Sequence, residues 1–298
     1  MLRPSPDPCD AGAAPSDAPL PERVARHYDL LDPYYRALWG EHLHHGLWER
    51  GDESIPEATG ALLRRVAEEA GIARGSSVVD VGSGYGATAR WLAETLGARV
   101  TAVTLSPVQH ARAEASRHVE PAPEYLLGDF LGCELPAGSY DAALAVESLS
   151  HMDDLEGALA EVRRVLRPGG RFVACVWLAG DDVGRWRRRA LLEPIVREGR
   201  LARLAPAATY RAALARCGLA LESFEDLTTR VRRTWWICAR RVAGRLLRDG
   251  EARRLVLAGR EGTFAWSVAR LALAYRVGAM RYGLFAARAP DATGTGAA

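Results

Sequence analysis

The stretch VVDVGSGYGATA, residues 78–89, constrains this chain more than any other segment. A short apolar run carries Asp80 near its end, turns through Gly82, Ser83 and Gly84, and enters a helical pattern after Gly86. Glycines at such a turn permit positive φ and let a ligand come close to the backbone. A buried strand passing directly into a helix belongs to a mostly parallel sheet with helices on both faces. The glycines alone also suit a dinucleotide fingerprint or a merely tight turn. The carboxylate of Asp80 would repel a pyrophosphate, and it suits a cationic ligand.

The pattern around this turn repeats the strand–helix rhythm. Strands are predicted at 77–81, 99–103, 124–127, 140–146 and 171–177, with helices at 87–96, 108–118 and 155–166 between them. Two later strands are predicted at 221–228 and 282–287, which brings the sheet to seven. Ligands in such sheets bind outside the carboxyl ends of the strands, where strand order reverses, so functional residues should follow strands directly. Gly128-Asp129-Phe130 follows the third strand, and there an acceptor beside an aromatic ring can take an exocyclic amine and flank a purine.

The resulting domain reading has six parts. Residues 1–20 form a Pro-, Ala-, Ser- and Asp-rich leader expected to be disordered, and 21–74 an N-terminal helical lid. Residues 75–180 are the Rossmann-like core, 181–280 an inserted helical cap with one core strand, 281–290 the last strand and 291–298 a flexible tail. No run reaches the roughly 18 apolar residues of a membrane span, and residues 1–20 lack the marks of a secretory signal. Five scattered cysteines without a C-x-x-C suggest neither a disulfide framework nor a zinc site, and the cytoplasm is the expected compartment.

All 39 basic side chains are arginine, with no lysine and no asparagine, which reads first as GC-rich coding. The formal charge of +2 removes the simplest case for a nucleic-acid partner. Residues 1–180 nevertheless carry 16 Arg against 26 acidic residues, and 181–260 carry 19 against 9. The cap is therefore the basic part. Arg185, Arg187, Arg188, Arg189, Arg230, Arg232, Arg233, Arg240 and Arg241 raise an anionic acceptor such as an isoprenoid diphosphate. Solvated faces paired to glutamates are the plainer explanation.

On the glycine-rich turn and the Gly-Asp-Phe element, the chain resembles the class I methyltransferases dependent on S-adenosylmethionine (SAM). Within them it looks like the tocopherol and prenyl C-methyltransferase group of small-molecule enzymes. The resemblance implies a Rossmann-like α/β fold with SAM as cofactor. It implies cofactor contacts at Asp80, Gly82, Ser83, Gly84 and Gly86, and adenine recognition at Gly128, Asp129 and Phe130. The family's usual acidic residue after the second strand is replaced by Thr104, so Thr104, Leu105 and Gln109 are expected to hold the ribose and adenosine.

The segment RHYDLLDPYYRALWGEHLHHGLWE, 26–49, resembles the lid of the tocopherol-type enzymes, which places Tyr28 against the cofactor. Trp39, His44 and His45 become acceptor-side candidates, with Trp235 and Trp236 of the cap. The histidines lack Cys or Asp partners at ligand spacing, so no metal is expected. In ESLSHM, 147–152, the resemblance selects Glu147 and His151 as catalytic candidates, and Ser150 stands where the tocopherol pattern has a second Glu. A buried carboxylate can stabilise a cation and take its proton, whereas a histidine can serve a hydroxyl or amine. The expectation is methyl transfer to a small, largely apolar acceptor in bacterial secondary metabolism, with C-methylation through Glu147 preferred. O- or N-methylation through His151 is the alternative, as is a cyclase that binds SAM without transferring methyl. The acceptor's identity and the oligomeric state, a homodimer included, stay open.

Overall fold

The computed structural model describes residues 18–248, 250 and 262–291, with the side chains of 37–39, 245 and 262–265 excepted. Most of the predicted leader and tail lies outside the described residues. Seven strands form one sheet: β1 Ser77–Val81, β2 Arg99–Thr104, β3 Glu124–Leu127, β4 Tyr140–Val146, β5 Leu166–Ala179, β6 Ala220–Asp226 and β7 Met280–Arg288. Their order is β3-β2-β1-β4-β5-β7-β6, parallel from β3 to β5, with β7 antiparallel to both its neighbours. Strand order reverses between β1 and β4, and the crevice at their carboxyl ends is the expected ligand position.

Successive residues feed opposite faces of this sheet, as period-two side chains must. Val78, Val100, Ala142 and Val173 pack on one face beneath α2 (Ile55–Glu69) and α3 (Ala87–Trp91). Val79, Val103, Ala143 and Phe172 pack on the other beneath α5 (Leu155–Val165) and α8 (Ala207–Arg216). Burying both faces is why β1, β2 and β4 read as continuous apolar runs. Helix starts follow local chemistry. Ser54 and Glu57 form a capping box at α2, Ser106 caps α4 (Pro107–Ala115), and Asp154 caps α5.

Several boundaries differ from the sequence reading. The helix predicted over 87–96 is α-helical only to Trp91 and then widens into a π turn, Leu92–Leu96. The strand predicted at 171–177 is longer, pairing from Leu166 across the Pro168-Gly169-Gly170 turn through a register shift opposite β4. β6 stops at Asp226, because the Asp226 carboxylate accepts the Thr228 N–H and starts α9 (Thr228–Val231).

The first helix of the segment predicted as a lid over 21–74 is α1, Leu20–Trp39, which lies against α4. Asp29 accepts from the Ser106 hydroxyl, and buried Asp32 accepts from Arg112 Nε at 2.8 Å and from the Tyr85 hydroxyl at 2.8 Å. In the cap, α6 (Arg185–Arg187) and α7 (Glu193–Glu198) follow β5. α10 (Arg233–Arg248) and α11 (Gly262–Arg276) pack together between β6 and β7. Trp235, Val268, Leu271 and Tyr275 join the sheet's own core cluster, so these helices cover a sheet face. Among the described residues no helix is long and apolar enough to cross a membrane.

Candidate active site

A cleft of about 1130 Å³, mouth included, opens at the carboxyl ends of β1, β2 and β4 under α1. Asp80, Gly82, Ser83, Gly84, Thr104, Leu105, Gln109, Gly128, Asp129 and Phe130 all line it, and so does Tyr28 from α1. Gly86 does not. Its φ of +69 and a would-be Cβ only 2.5 Å from the Tyr125 ring make it a packing glycine at the head of α3. Gly82 has both functions. At φ +80 it lines the cleft, and a Cβ there would fall 2.4 Å from Ser148 Cβ.

Each wall of the cleft has its own polar chemistry. Asp80 is buried, its Oδ2 has no partner among the described residues, and burial pushes its carboxyl up to about 7. The Thr104 hydroxyl donates to Gln109 Oε1 at 2.9 Å, which leaves the amide N–H groups of Gln109 for a ligand. Asp129 accepts from Leu131 N at 3.1 Å, which fixes the short turn after β3. Phe130 is buried in the core beneath this wall, while Leu131 stands exposed at the rim. Sequence reasoning passed over Leu131 because an apolar residue after a strand has no chemical signature. It also missed Ser148, whose hydroxyl donates to Val81 O at 2.5 Å and ties the ends of β1 and β4 together.

Glu147 sits at the end of β4 with a φ of +63, a strained conformation for a residue with a Cβ. Its Oε1 accepts from His45 N at 2.7 Å, His45 Nδ1 at 2.9 Å and the Tyr282 hydroxyl at 2.8 Å. Its Oε2 accepts from Trp177 Nε1 at 2.7 Å. His45 Nε2 in turn accepts from Trp235 Nε1 at 2.6 Å, which fixes the proton of that imidazole on Nδ1. Burial alone would raise the Glu147 carboxyl, but the His45 side chain and backbone N–H outweigh it and hold it at about 2. The group is a buried anion surrounded by donors. It is a poor proton acceptor.

His151 has the opposite character. Its Nδ1 is 3.2 Å from the Arg200 carbonyl, which can only accept, so the proton sits on Nδ1 and the lone pair on Nε2. Nε2 accepts from the Tyr28 hydroxyl at 3.0 Å, across the cleft from the lid. Burial lowers the imidazole's pKa and keeps it neutral. Arg200 has a φ of +52, so the carbonyl that orients His151 is itself held by a strained residue.

The acceptor-side candidates separate. His44 lines the cleft, whereas His45 and Trp235 lie behind Glu147 as its support. Trp236 is 63% exposed and faces away, since neighbours on a helix point about 100° apart. Trp39 ends α1, and its side chain lies outside the described ones. No arginine lines the cleft among the described residues. Arg230 pairs with Glu225, and Arg216 with Glu156.

Residues 79–174 match the protein family described as a methyltransferase domain. Over 281 residues the chain is 30% identical to the 27-O-demethylrifamycin SV methyltransferase of Amycolatopsis mediterranei (strain S699), covering 92% of this chain and 99% of that one. The chain belongs to the class I SAM-dependent methyltransferases. The methyltransferase is also 31% identical over 182 residues to the chloroplastic tocopherol O-methyltransferase of Arabidopsis thaliana, 56% of this chain and 52% of that protein. It thus spans about half that relative's length. Among solved structures, the [4+2]-cyclase SpnF superposes with a TM-score of 0.77 at 27% identity, over 92% of this chain and 98% of that one.

SAM is the cofactor, and the methyltransferase's cleft fits it. The unpartnered Asp80 Oδ2 suits the ammonium of its methionine end. Gly82 and Gly84 would allow close backbone approach, Thr104 and Gln109 would hold the ribose, and Asp129 with Leu131 would hold adenine.

Proposed function

We propose that this methyltransferase transfers the methyl group of SAM to a hydroxyl oxygen of a small, largely apolar natural product in bacterial secondary metabolism, with His151 as the base. The observation that carries this reading is the fixed tautomer of His151, which presents an Nε2 lone pair to a hydroxyl. The lid supplies that hydroxyl from Tyr28, and in the ternary complex the acceptor's hydroxyl takes its place. When bound, SAM supplies an electrophilic methyl on a positively charged sulfur. The new O–CH3 bond forms as the S–CH3 bond breaks. Its electron pair stays on sulfur, and the hydroxyl proton passes to Nε2. Alignment of oxygen, carbon and sulfur provides much of the acceleration.

Val24, Ala25, Leu43, Val146 and Met152 give the acceptor side its apolar lining. The absence of arginine from the described lining argues for an acceptor without a diphosphate. C-methylation through Glu147 is the weaker reading, because both oxygens of that carboxylate already have donors. The rifamycin relative named above, which methylates a 27-O-demethyl compound, supports transfer to oxygen. A cyclase that leaves the methyl on SAM is the second reading, favoured by the likeness to SpnF.

The test compares His151→Gln and Glu147→Gln in formation of S-adenosylhomocysteine from SAM and a pool of hydroxylated small molecules. His151→Gln should lose roughly 10²–10⁴-fold in turnover with cofactor affinity unchanged. Turnover by His151→Gln within about threefold of wild type would remove the base, and no transfer by wild type would favour the cyclase.

A further inference from the structure

Nine buried side-chain polar atoms have no hydrogen-bond partner among the described residues, and four belong to residues lining the cleft: His42 Nδ1, His44 Nε2, Asp80 Oδ2 and Ser83 Oγ. Asp80 and Ser83 sit at the glycine-rich turn, where the cofactor explains them. His44 lies elsewhere. Its neighbour His45 donates its backbone N–H to Glu147, so His44 stands at the end of β4, the end from which His151 also reaches the cleft.

The tautomer of His44 is fixed by the same logic as that of His151. Nδ1 lies 2.8 Å from the His45 carbonyl, which only accepts, so Nδ1 carries the proton and Nε2 the lone pair. The residue is 5% exposed and lines the cleft, and that nitrogen has no hydrogen-bond partner among the described residues. Buried acceptors without a donor are uncommon in folded proteins, and one that lines a binding cleft is completed by the ligand. With the cofactor placed as above, its own donors would be met elsewhere: adenine and ribose at the β2 and β3 ends, the ammonium at Asp80.

We propose that the acceptor carries two hydrogen-bond donors, one methylated at His151 and the other held by His44 Nε2. The acceptor is then of diol type, and His44 sets its specificity. The inference rests on the O-methyl transfer reading above. It adds a requirement for the hydroxyl that is not methylated. A site built around a donor rejects an analogue lacking it, because the buried acceptor is then left empty.

The experiment titrates the S-adenosylhomocysteine-loaded enzyme with 4-nitrocatechol and with 4-nitrophenol, followed by visible absorption. Wild type should bind the two-hydroxyl probe at least about tenfold more tightly than the one-hydroxyl probe. His44→Phe should erase that preference, and His44→Gln, whose amide carbonyl can accept, should restore part of it. S-adenosylhomocysteine affinity should stay at the wild-type value in both variants. Equal binding of the two probes by wild type, binding of neither, or a preference retained in His44→Phe would overturn the proposal. A matching loss of S-adenosylhomocysteine affinity in His44→Phe would also overturn it, by assigning the lone pair to the cofactor's ammonium. Methyl transfer from SAM to bound 4-nitrocatechol reports separately on the parent reading. A preference without transfer to oxygen counts against that reading and leaves the His44 contact standing, while transfer without a preference counts against His44.

Discussion

Replacing Glu147 by glutamine separates a structural anion from a catalytic base. The carboxylate accepts four hydrogen bonds, three at Oε1 and one at Oε2, from residues of the lid segment, β5 and β7. An amide keeps one accepting oxygen, and its NH2 must then face either the Trp177 N–H or the His45 and Tyr282 donors. The loss of at least one charge-assisted bond, with a buried donor left facing a donor, amounts to about 3 kcal/mol. Linkage acts in the same direction as this loss of about 3 kcal/mol, because the buried donors hold the carboxyl below its ordinary value of 4.5 in the folded state. For a domain this size that is a drop of roughly 5–10 °C in melting temperature. The folded pKa lies below the unfolded one, so this stability is complete above about pH 4.5 and fades as pH falls towards 2. Glu147→Gln should therefore melt early at neutral pH and show a shallower acid transition by calorimetry. A melting temperature within about 2 °C of wild type, together with abolished turnover, would refute the reasoning and return Glu147 to the role of base.

Three further outcomes follow from the same geometry. Asp80 is protonated below about pH 7 in the empty cleft, and a cationic ligand favours its ionised form. SAM should thus bind roughly tenfold more weakly at pH 6 than at pH 7.5, and Asp80→Asn should bind weakly at both, by titration calorimetry. Gly82→Ala combines a positive φ with a Cβ 2.4 Å from Ser148 Cβ, and should lose S-adenosylhomocysteine binding while the far-ultraviolet spectrum stays native. Asp32→Ala removes the carboxylate that joins α1 to Arg112 and Tyr85; it should cost about 1–3 kcal/mol and speed cofactor release, measured by stopped-flow displacement.

The sheet and the cofactor wall were legible because their signals are local. A strand, a glycine turn and a helix occupy residues 77–91 in sequence, and the chemistry of Asp80 and Gly82 is set within that span. The catalytic wall was legible only as residue names. Glu147 and His151 lie four residues apart with the same apparent promise, yet the donors that saturate Glu147 come from His45, Trp177 and Tyr282. No local pattern announces partners 102 and 135 residues away. Trp235 and Trp236 make the same point. One helical step turns the first onto His45 and the second to solvent, and the choice belongs to the packing of α10 against the sheet. Among the described residues, the arginines of 181–260 include surface ion pairs such as Arg230 with Glu225 and Arg216 with Glu156, and none lines the described cleft.

The most direct measurement follows the transferred carbon itself. The enzyme would be incubated with SAM carrying a carbon-13 methyl and a pool of hydroxylated and unsaturated small molecules, and the product's labelled carbon read by NMR. The label should appear on oxygen, undiminished in folded Glu147→Gln and lost in His151→Gln. A label on carbon, or transfer that survives without His151 and ends without Glu147, would contradict O-methylation through His151.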